Sequence, residues 1–206
     1  MKKLIFLGMC LFCSIAKAQH ILDFSTDDDY ERIYVEAGFV RPIGKLSQKF
    51  DMSPSFGFWF RNKLNAEDYV DFGFNFFIPK NPTTPNFRYR DSIVNYKSKY
   101  FAINIGTRFS KIIPLSQKSS NFNVEWNSGI GLALNFYSAP KELEFKKGEH
   151  SGEVLTTIYF SQGIKVNYKN IGLQCHYQFS PYGLFNENVV KDFGSQSLMF
   201  GIIYRQ

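Results

Sequence analysis

The chain has 206 residues, 24 Lys and Arg against 18 Asp and Glu for a formal net charge of +6, and an 18% aromatic content that includes 23 Phe and 12 Tyr. That length suits a single domain, and so weak a basic surplus argues against a nucleic-acid partner. Mean hydropathy is slightly negative despite the aromatics, so they must be interleaved with polar residues rather than gathered into apolar runs.

At the N-terminus Lys2 and Lys3 precede an apolar run from Leu4 to Ile15, which is followed by Ala16, Lys17 and Ala18. A basic start, a short apolar stretch and a small-x-small junction form a secretory signal, and the run falls short of the roughly 20 residues a membrane helix needs. Residues 1–18 are therefore expected to be removed after Ala18, leaving 19–31 as an N-terminal periplasmic tail and 32–206 as the folded domain. Cys10 follows Met9 and Cys13 follows Phe12, which does not suit lipoprotein processing. Removing the signal takes Lys2, Lys3 and Lys17 with it, lowering the formal net charge from +6 to +3. The mature chain keeps Cys175 as its one cysteine and so has no internal disulfide on export. Asp27, Asp28 and Asp29 lack the spaced ligands and glycine of a calcium loop and read as part of a solvated tail.

Beyond residue 31 the pattern is alternation. The clearest stretch is 122–136, where Phe122, Val124, Trp126, Ile130, Leu132, Leu134 and Phe136 alternate with Asn123, Glu125, Asn127, Gly129, Gly131, Ala133 and Asn135. Side chains on a strand point to opposite sides in turn, so one face is greasy and the other polar and glycine-rich. Ser128 alone interrupts the greasy face. The same period gives eight strands, at 32–40, 55–61, 69–78, 100–109, 122–136, 154–168, 171–179 and 197–205. The links at 41–54, 79–99, 137–153 and 180–196 are long and polar, whereas 62–68 and 169–170 are short; 110–121 is longer than that alternation predicts. Long and short links alternating along an even number of strands predict an all-β fold, an eight-stranded antiparallel up-and-down transmembrane barrel with both termini on the periplasmic side.

The make-up of the polar face separates a membrane barrel from a secreted soluble lipocalin-like barrel. A solvated exterior would carry Lys and Glu, but this face holds glycines, Asn75, Asn104, Asn127, Asn135, Asn167, Gln174 and Gln178. Small residues and amides are what fill a narrow eight-stranded cylinder. Its charges are Glu36, Arg61, Asp71, Arg108, Glu125, Lys165 and Arg205, a mixed-sign set expected to pair inside and to plug the lumen. The opposite face, with Phe72, Phe74, Phe76, Ile105, Leu132, Leu134, Phe160, Leu173 and Phe200, is expected to meet lipid. Tyr100, Trp126, Tyr168, Tyr177 and Tyr204 suit interfacial girdles.

These features carry a resemblance. The Ala-Lys-Ala-Gln junction at 16–19, the strand Tyr34-Val-Glu-Ala-Gly-Phe-Val-Arg-Pro-Ile-Gly44, the segment Phe56-Gly-Phe-Trp-Phe60 and the terminus Phe200-Gly-Ile-Ile-Tyr-Arg-Gln206 are similar to those of small outer-membrane β-barrel proteins of Bacteroidota, including the PorT-like group. The resemblance spans the mature chain and implies a Gram-negative outer-membrane location, insertion by the barrel-assembly machinery and no catalytic residues. It also implies a structural, loop-presenting or secretion-associated role with an envelope or secretion-complex protein as partner. The chain departs from the family in ending on Gln206, with Tyr204 as its last aromatic.

Sharper chemistry is thinly supported. A lipid A-modifying enzyme would need a histidine beside a nucleophile, and the candidates are His150 next to Ser151 and His176 on the polar face of the seventh strand. No third orienting group accompanies either, so no catalytic residue is expected. Cys175 and His176 point to opposite sides of one strand and cannot easily share a metal; no metal or cofactor is expected. Arg88, Arg90, Lys141, Lys146 and Lys147 in two long links are candidates for contact with lipopolysaccharide phosphates.

Overall fold

The computed structural model describes residues 33–78, 86–89, 92–95, 100–113, 121–138, 152–184 and 194–206. Strands β1 (Ile33–Ile43), β2 (Ser53–Lys63) and β3 (Asp68–Phe77) open the domain, followed by a small hairpin of β4 (Asn86–Tyr89) and β5 (Ser92–Asn95). Then come β6 (Tyr100–Ile113), β7 (Phe122–Ser138), β8 (Gly152–Tyr168), β9 (Ile171–Phe179) and β10 (Gln196–Arg205). Eight of these close into an antiparallel barrel in the order β1-β10-β9-β8-β7-β6-β3-β2, while β4 and β5 pair only with each other. Closure joins the first strand to the last along a register running from Tyr34 opposite Arg205 to Ile43 opposite Gln196. The eight barrel strands thus leave no unpaired edge.

Each of the eight sequence segments falls within its barrel strand, give or take a residue at the ends. Most strands extend further than alternation indicated: β1 continues to Ile43, β6 to Ile113, and β2 starts at Ser53. The extension of β6 accounts for part of the overlong 110–121 link. The 79–99 link, expected as loop, contains the β4–β5 hairpin, whose strands of four residues each are too short to show a period. Two short 3-10 helices, η1 (Gly44–Gln48) and η2 (Tyr182–Leu184), stand where links 41–54 and 180–196 were expected to be polar loop. Their Leu46 and Tyr182, with Phe50, bury against Tyr137 and Leu155 at the mouth of the barrel. Isolated apolar residues in a polar link carry no periodic signal, so this cap was not legible.

Alternation decides which way every barrel side chain turns. In β9 the odd positions from Ile171 to Phe179 are exposed and the even positions from Gly172 to Gln178 are buried. Large inward side chains are matched by glycines on the neighbouring strand: Trp59 lies opposite Gly73, Tyr159 opposite Gly131 and His176 opposite Gly163. A side chain begun at Gly163 would sit 2.6 Å from Cγ of His176, and one at Gly131 would sit 2.7 Å from Cε1 of Tyr159. Both glycines are therefore required by the close approach of a bulky inward side chain from the neighbouring strand. On the outer surface, aromatic rings pair across strands instead; Phe101 and Phe136 are register partners with ring centroids 4.6 Å apart.

Gly163→Val forces His176 out of its place and is expected to lower stability by about 1–3 kcal/mol. Gly183→Ala in η2, where nothing lies within 4 Å, is expected to stay within about 0.5 kcal/mol. Urea unfolding of detergent-solubilised protein measures the difference.

Candidate functional site

The inward face of the barrel gathers ionisable groups from opposite walls. Glu36, Arg61, Asp71, Arg108, Glu125, Lys165 and Arg205 all point into the lumen, none with more than 5% of its surface exposed. With four bases and three acids among them, the interior carries one net positive formal charge.

Arg61 stands at the centre. Its Nε donates to Oδ1 of Asp71 at 2.8 Å and its Nη2 to Oδ2 at 3.1 Å, a two-point grip on the carboxylate. The same guanidinium reaches Glu125 on β7, with Nη1 to Oε1 at 3.1 Å and Nη2 to Oε2 at 2.9 Å. Arg61 and Asp71 face each other in register on β2 and β3, but Glu125 comes from across the lumen. The planar fork of donors on an arginine can serve two carboxylates at once, which a lysine cannot reproduce.

Both carboxylates are further satisfied. Oε1 of Glu125 also accepts from Nη2 of Arg205 at 2.6 Å and from the Asn167 amide at 3.1 Å. Oδ2 of Asp71 accepts from the hydroxyls of Tyr34 and Ser110, each at 2.8 Å. Nζ of Lys165 donates to the Tyr34 oxygen at 2.8 Å and lies 3.5 Å from Oδ2 of Asp71. A second pair lies beside this network, where Nη1 of Arg108 bonds Oε1 of Glu36 at 2.5 Å and the guanidinium carbon sits 3.7 Å above the Trp59 ring. Stripping water from a charge costs several kcal/mol, and only such dense pairing offsets it.

Above the charges, toward the long links, amides take over. The Asn104 amide donates to Gln178 at 3.0 Å, and the Gln178 amide donates to Ser180 at 3.0 Å. Asn104 and Gln178, with Ser53, Asn135 and Ser197, line a cavity of about 40 Å³ roofed by Leu46, Phe50 and Tyr182. That volume suits about three waters and no larger ligand. Burial pushes the Tyr182 phenol up to about 12, so the roof stays uncharged at neutral pH.

Alternation had placed the seven charges on one face but not the aromatics among them. Tyr34, Trp59 and Tyr159 point inward and are 2% exposed or less; their parity with Glu36, Arg61 and Lys165 was the available signal, obscured because aromatics are expected outside. His176 also points inward at 1% exposure, packed on Gly163, and so is presented at neither surface. Cys175 faces outward, away from it. Among the described residues no group of His, Cys, Asp and Glu is arranged to hold a metal. His150, Ser151, Arg90, Lys141, Lys146 and Lys147 lie outside the described residues; Arg88 is on β4.

No protein-family model matches the sequence, and no curated protein matches it. Among solved structures the chain is similar to the Yersinia pestis outer membrane protein Ail in a phospholipid bilayer nanodisc, with 14% identity over 86% of this chain and 100% of that one and a TM-score of 0.47. It is also similar to Neisserial surface protein A (12% identity, 84% and 96% covered, TM-score 0.48). The N-terminal β-barrel domain of Pseudomonas aeruginosa OprF is more distant in sequence (8% identity, 85% and 98% covered, TM-score 0.44). At these identities no ligand or role transfers from them.

Arg61→Met strands Asp71 and Glu125 without their shared partner and is expected to cost about 3–5 kcal/mol in urea unfolding. Arg61→Lys keeps the charge but cannot grip both carboxylates, and should recover only part of that loss.

Proposed function

We propose that this chain is a non-enzymatic integral protein of a Gram-negative outer membrane, a closed barrel whose role is structural or loop-presenting. The observation that carries this reading is the inverted distribution of side chains. Charges and amides fill the lumen, while Phe39, Phe56, Phe60, Phe76, Ile105, Ile130, Leu132, Phe160, Ile164, Leu173, Phe200 and Ile202 stand 39–62% exposed around the outside. No soluble barrel can keep such a belt in water, since exposed apolar patches of that extent drive aggregation. On the barrel strands the described charges that point outward, Arg41, Asp68 and Lys111, belong to strand ends, where a charge reaches the headgroups.

Export by the 1–18 signal with cleavage after Ala18 would deliver the chain to the periplasm, where the barrel-assembly machinery would insert it. The three short links and both ends of the domain would then face the periplasm and the long links the outside. There Arg88, Arg90, Lys141, Lys146 and Lys147 would meet lipopolysaccharide phosphates, and the same loops would present a surface to an envelope or secretion-complex protein. Kinship with the PorT-like barrels belongs to this proposal and rests on the Tyr34–Gly44 and Phe56–Phe60 segments. A plugged lumen argues for scaffolding rather than diffusion of solutes: Arg61, Asp71 and Glu125 bridge it from wall to wall.

Leu132→Arg tests the membrane reading against a water-facing exterior. In lipid vesicles the substitution is expected to destabilise the protein by about 2–4 kcal/mol, as a charge near the bilayer midplane does. A loss under about 0.5 kcal/mol, normal for a solvated surface position, would contradict membrane insertion.

A further inference from the structure

One row on the outer surface departs from the apolar belt. Ser128, Gln162 and Tyr177 are register partners on β7, β8 and β9. Alternation turns all three away from the lumen, and Gln162 is exposed. Their surroundings are hydrocarbon, with Phe109, Trp126, Ile130, Phe160 and Ile164 exposed on the same face. Among the described residues the Gln162 side chain makes no hydrogen bond, nor do those of Ser128 and Tyr177.

The position of Gln162 along β8 makes this consequential. It stands six residues from Tyr168 at one end of the outward row and eight from Val154 at the other, and its partner Tyr177 stands six from Ile171, so that Tyr177, expected from the sequence in an interfacial girdle, shares the level of Gln162 instead. At about 3.3 Å per residue on a strand tilted near 45°, six residues rise roughly 14 Å, about half the height of a 25 Å apolar band. A glutamine there is too far from either interface to reach water, and acyl chains offer its amide neither donor nor acceptor. A carboxamide has two N–H donors and a carbonyl acceptor, so it is complementary to a copy of itself.

Resting on the outer-membrane reading above, we propose that the β7–β8–β9 face is the interface of a homodimer within the membrane, with the Gln162 amides of two copies paired across a twofold axis along the bilayer normal. Such an axis keeps both barrels in the same orientation and holds the two Gln162 at equal depth. It also reverses left and right, turning Ser128 of one copy toward the side on which the other carries Tyr177. An interface of this kind is isologous and closes at two copies. The contact between two convex walls is narrow, so a central polar pair has a large share in specifying it.

Energy transfer between donor- and acceptor-labelled protein in vesicles tests this directly. The label goes on Ala66→Cys in the exposed β2–β3 turn, on the opposite side of the barrel from β8, in a Cys175→Ala background that keeps the outer face of β9 apolar. The parent should show transfer that falls as lipid is added and fits a monomer–dimer equilibrium. Gln162→Leu should lower the association constant about ten-fold, the worth of one membrane hydrogen bond, whereas Phe76→Leu on β3 should leave it unchanged. Each variant must keep the gel-mobility difference between boiled and unboiled samples that marks an intact barrel. Transfer no greater than random proximity predicts, or an association constant indifferent to Gln162→Leu, overturns the dimer. Association only with other proteins of a native membrane overturns it as well. Protein that inserts but stays monomeric defeats the dimer alone, while protein that never enters the vesicles defeats the membrane reading with it.

Discussion

Seven of the eight barrel strands meet at one cluster of charge. Arg61 on β2 holds Asp71 on β3 and Glu125 on β7; Glu125 also takes Arg205 on β10 and Asn167 on β8, and Asp71 takes Tyr34 on β1 and Ser110 on β6. Charges this deeply buried are tolerable only when paired, and they can be paired only if the strands carrying them close into a cylinder of one size and stagger. The network thus depends on closure and in turn specifies it. An unclosed sheet would leave Arg205 on the last strand without Glu125, and a register slip of one residue would turn Arg61 out into the apolar belt.

The same constraint governs the rest of the wall. With a lumen already occupied by guanidinium groups, a lysine and the rings of Tyr34 and Trp59, the facing positions must be small, which is why glycine recurs opposite the bulky inward residues. Polar content inside leaves apolar content for the outside, and strand alternation enforces the exchange residue by residue. The amide layer and the Leu46–Phe50–Tyr182 cluster then stand at the end facing the long links, so ion pairs cross the middle of the barrel and a small apolar cap lies above them.

The strand set and the direction of each side chain were legible in the amino-acid sequence because alternation is a local property. In 122–136 it can be read within a few residues on either side of Ser128. Which charge meets which was not. Arg61 and Glu125 are 64 residues apart and approach across the lumen, an outcome of barrel stagger that no local pattern records. Trp59 was hidden in an aromatic run, Phe58-Trp59-Phe60, where parity alone separates an inward ring from two outward ones. The roof and the β4–β5 hairpin were missed for a different reason: helices of five and three residues and strands of four are shorter than the windows in which a period can be recognised.

The central claim is that one face of each strand meets lipid and the other is locked inside. Spin labels placed singly at Ile130, Leu132 and Leu134 on β7, with a reference label at Glu67 in the exposed β2–β3 turn, in protein reconstituted into bilayers, test it most directly. Labels at residues 130, 132 and 134 should be highly accessible to oxygen dissolved in the hydrocarbon and protected from a water-soluble nickel reagent, while the label at 67 should show the reverse. High accessibility of the even positions to the nickel reagent would mean that this face is turned toward water, and the account would be wrong.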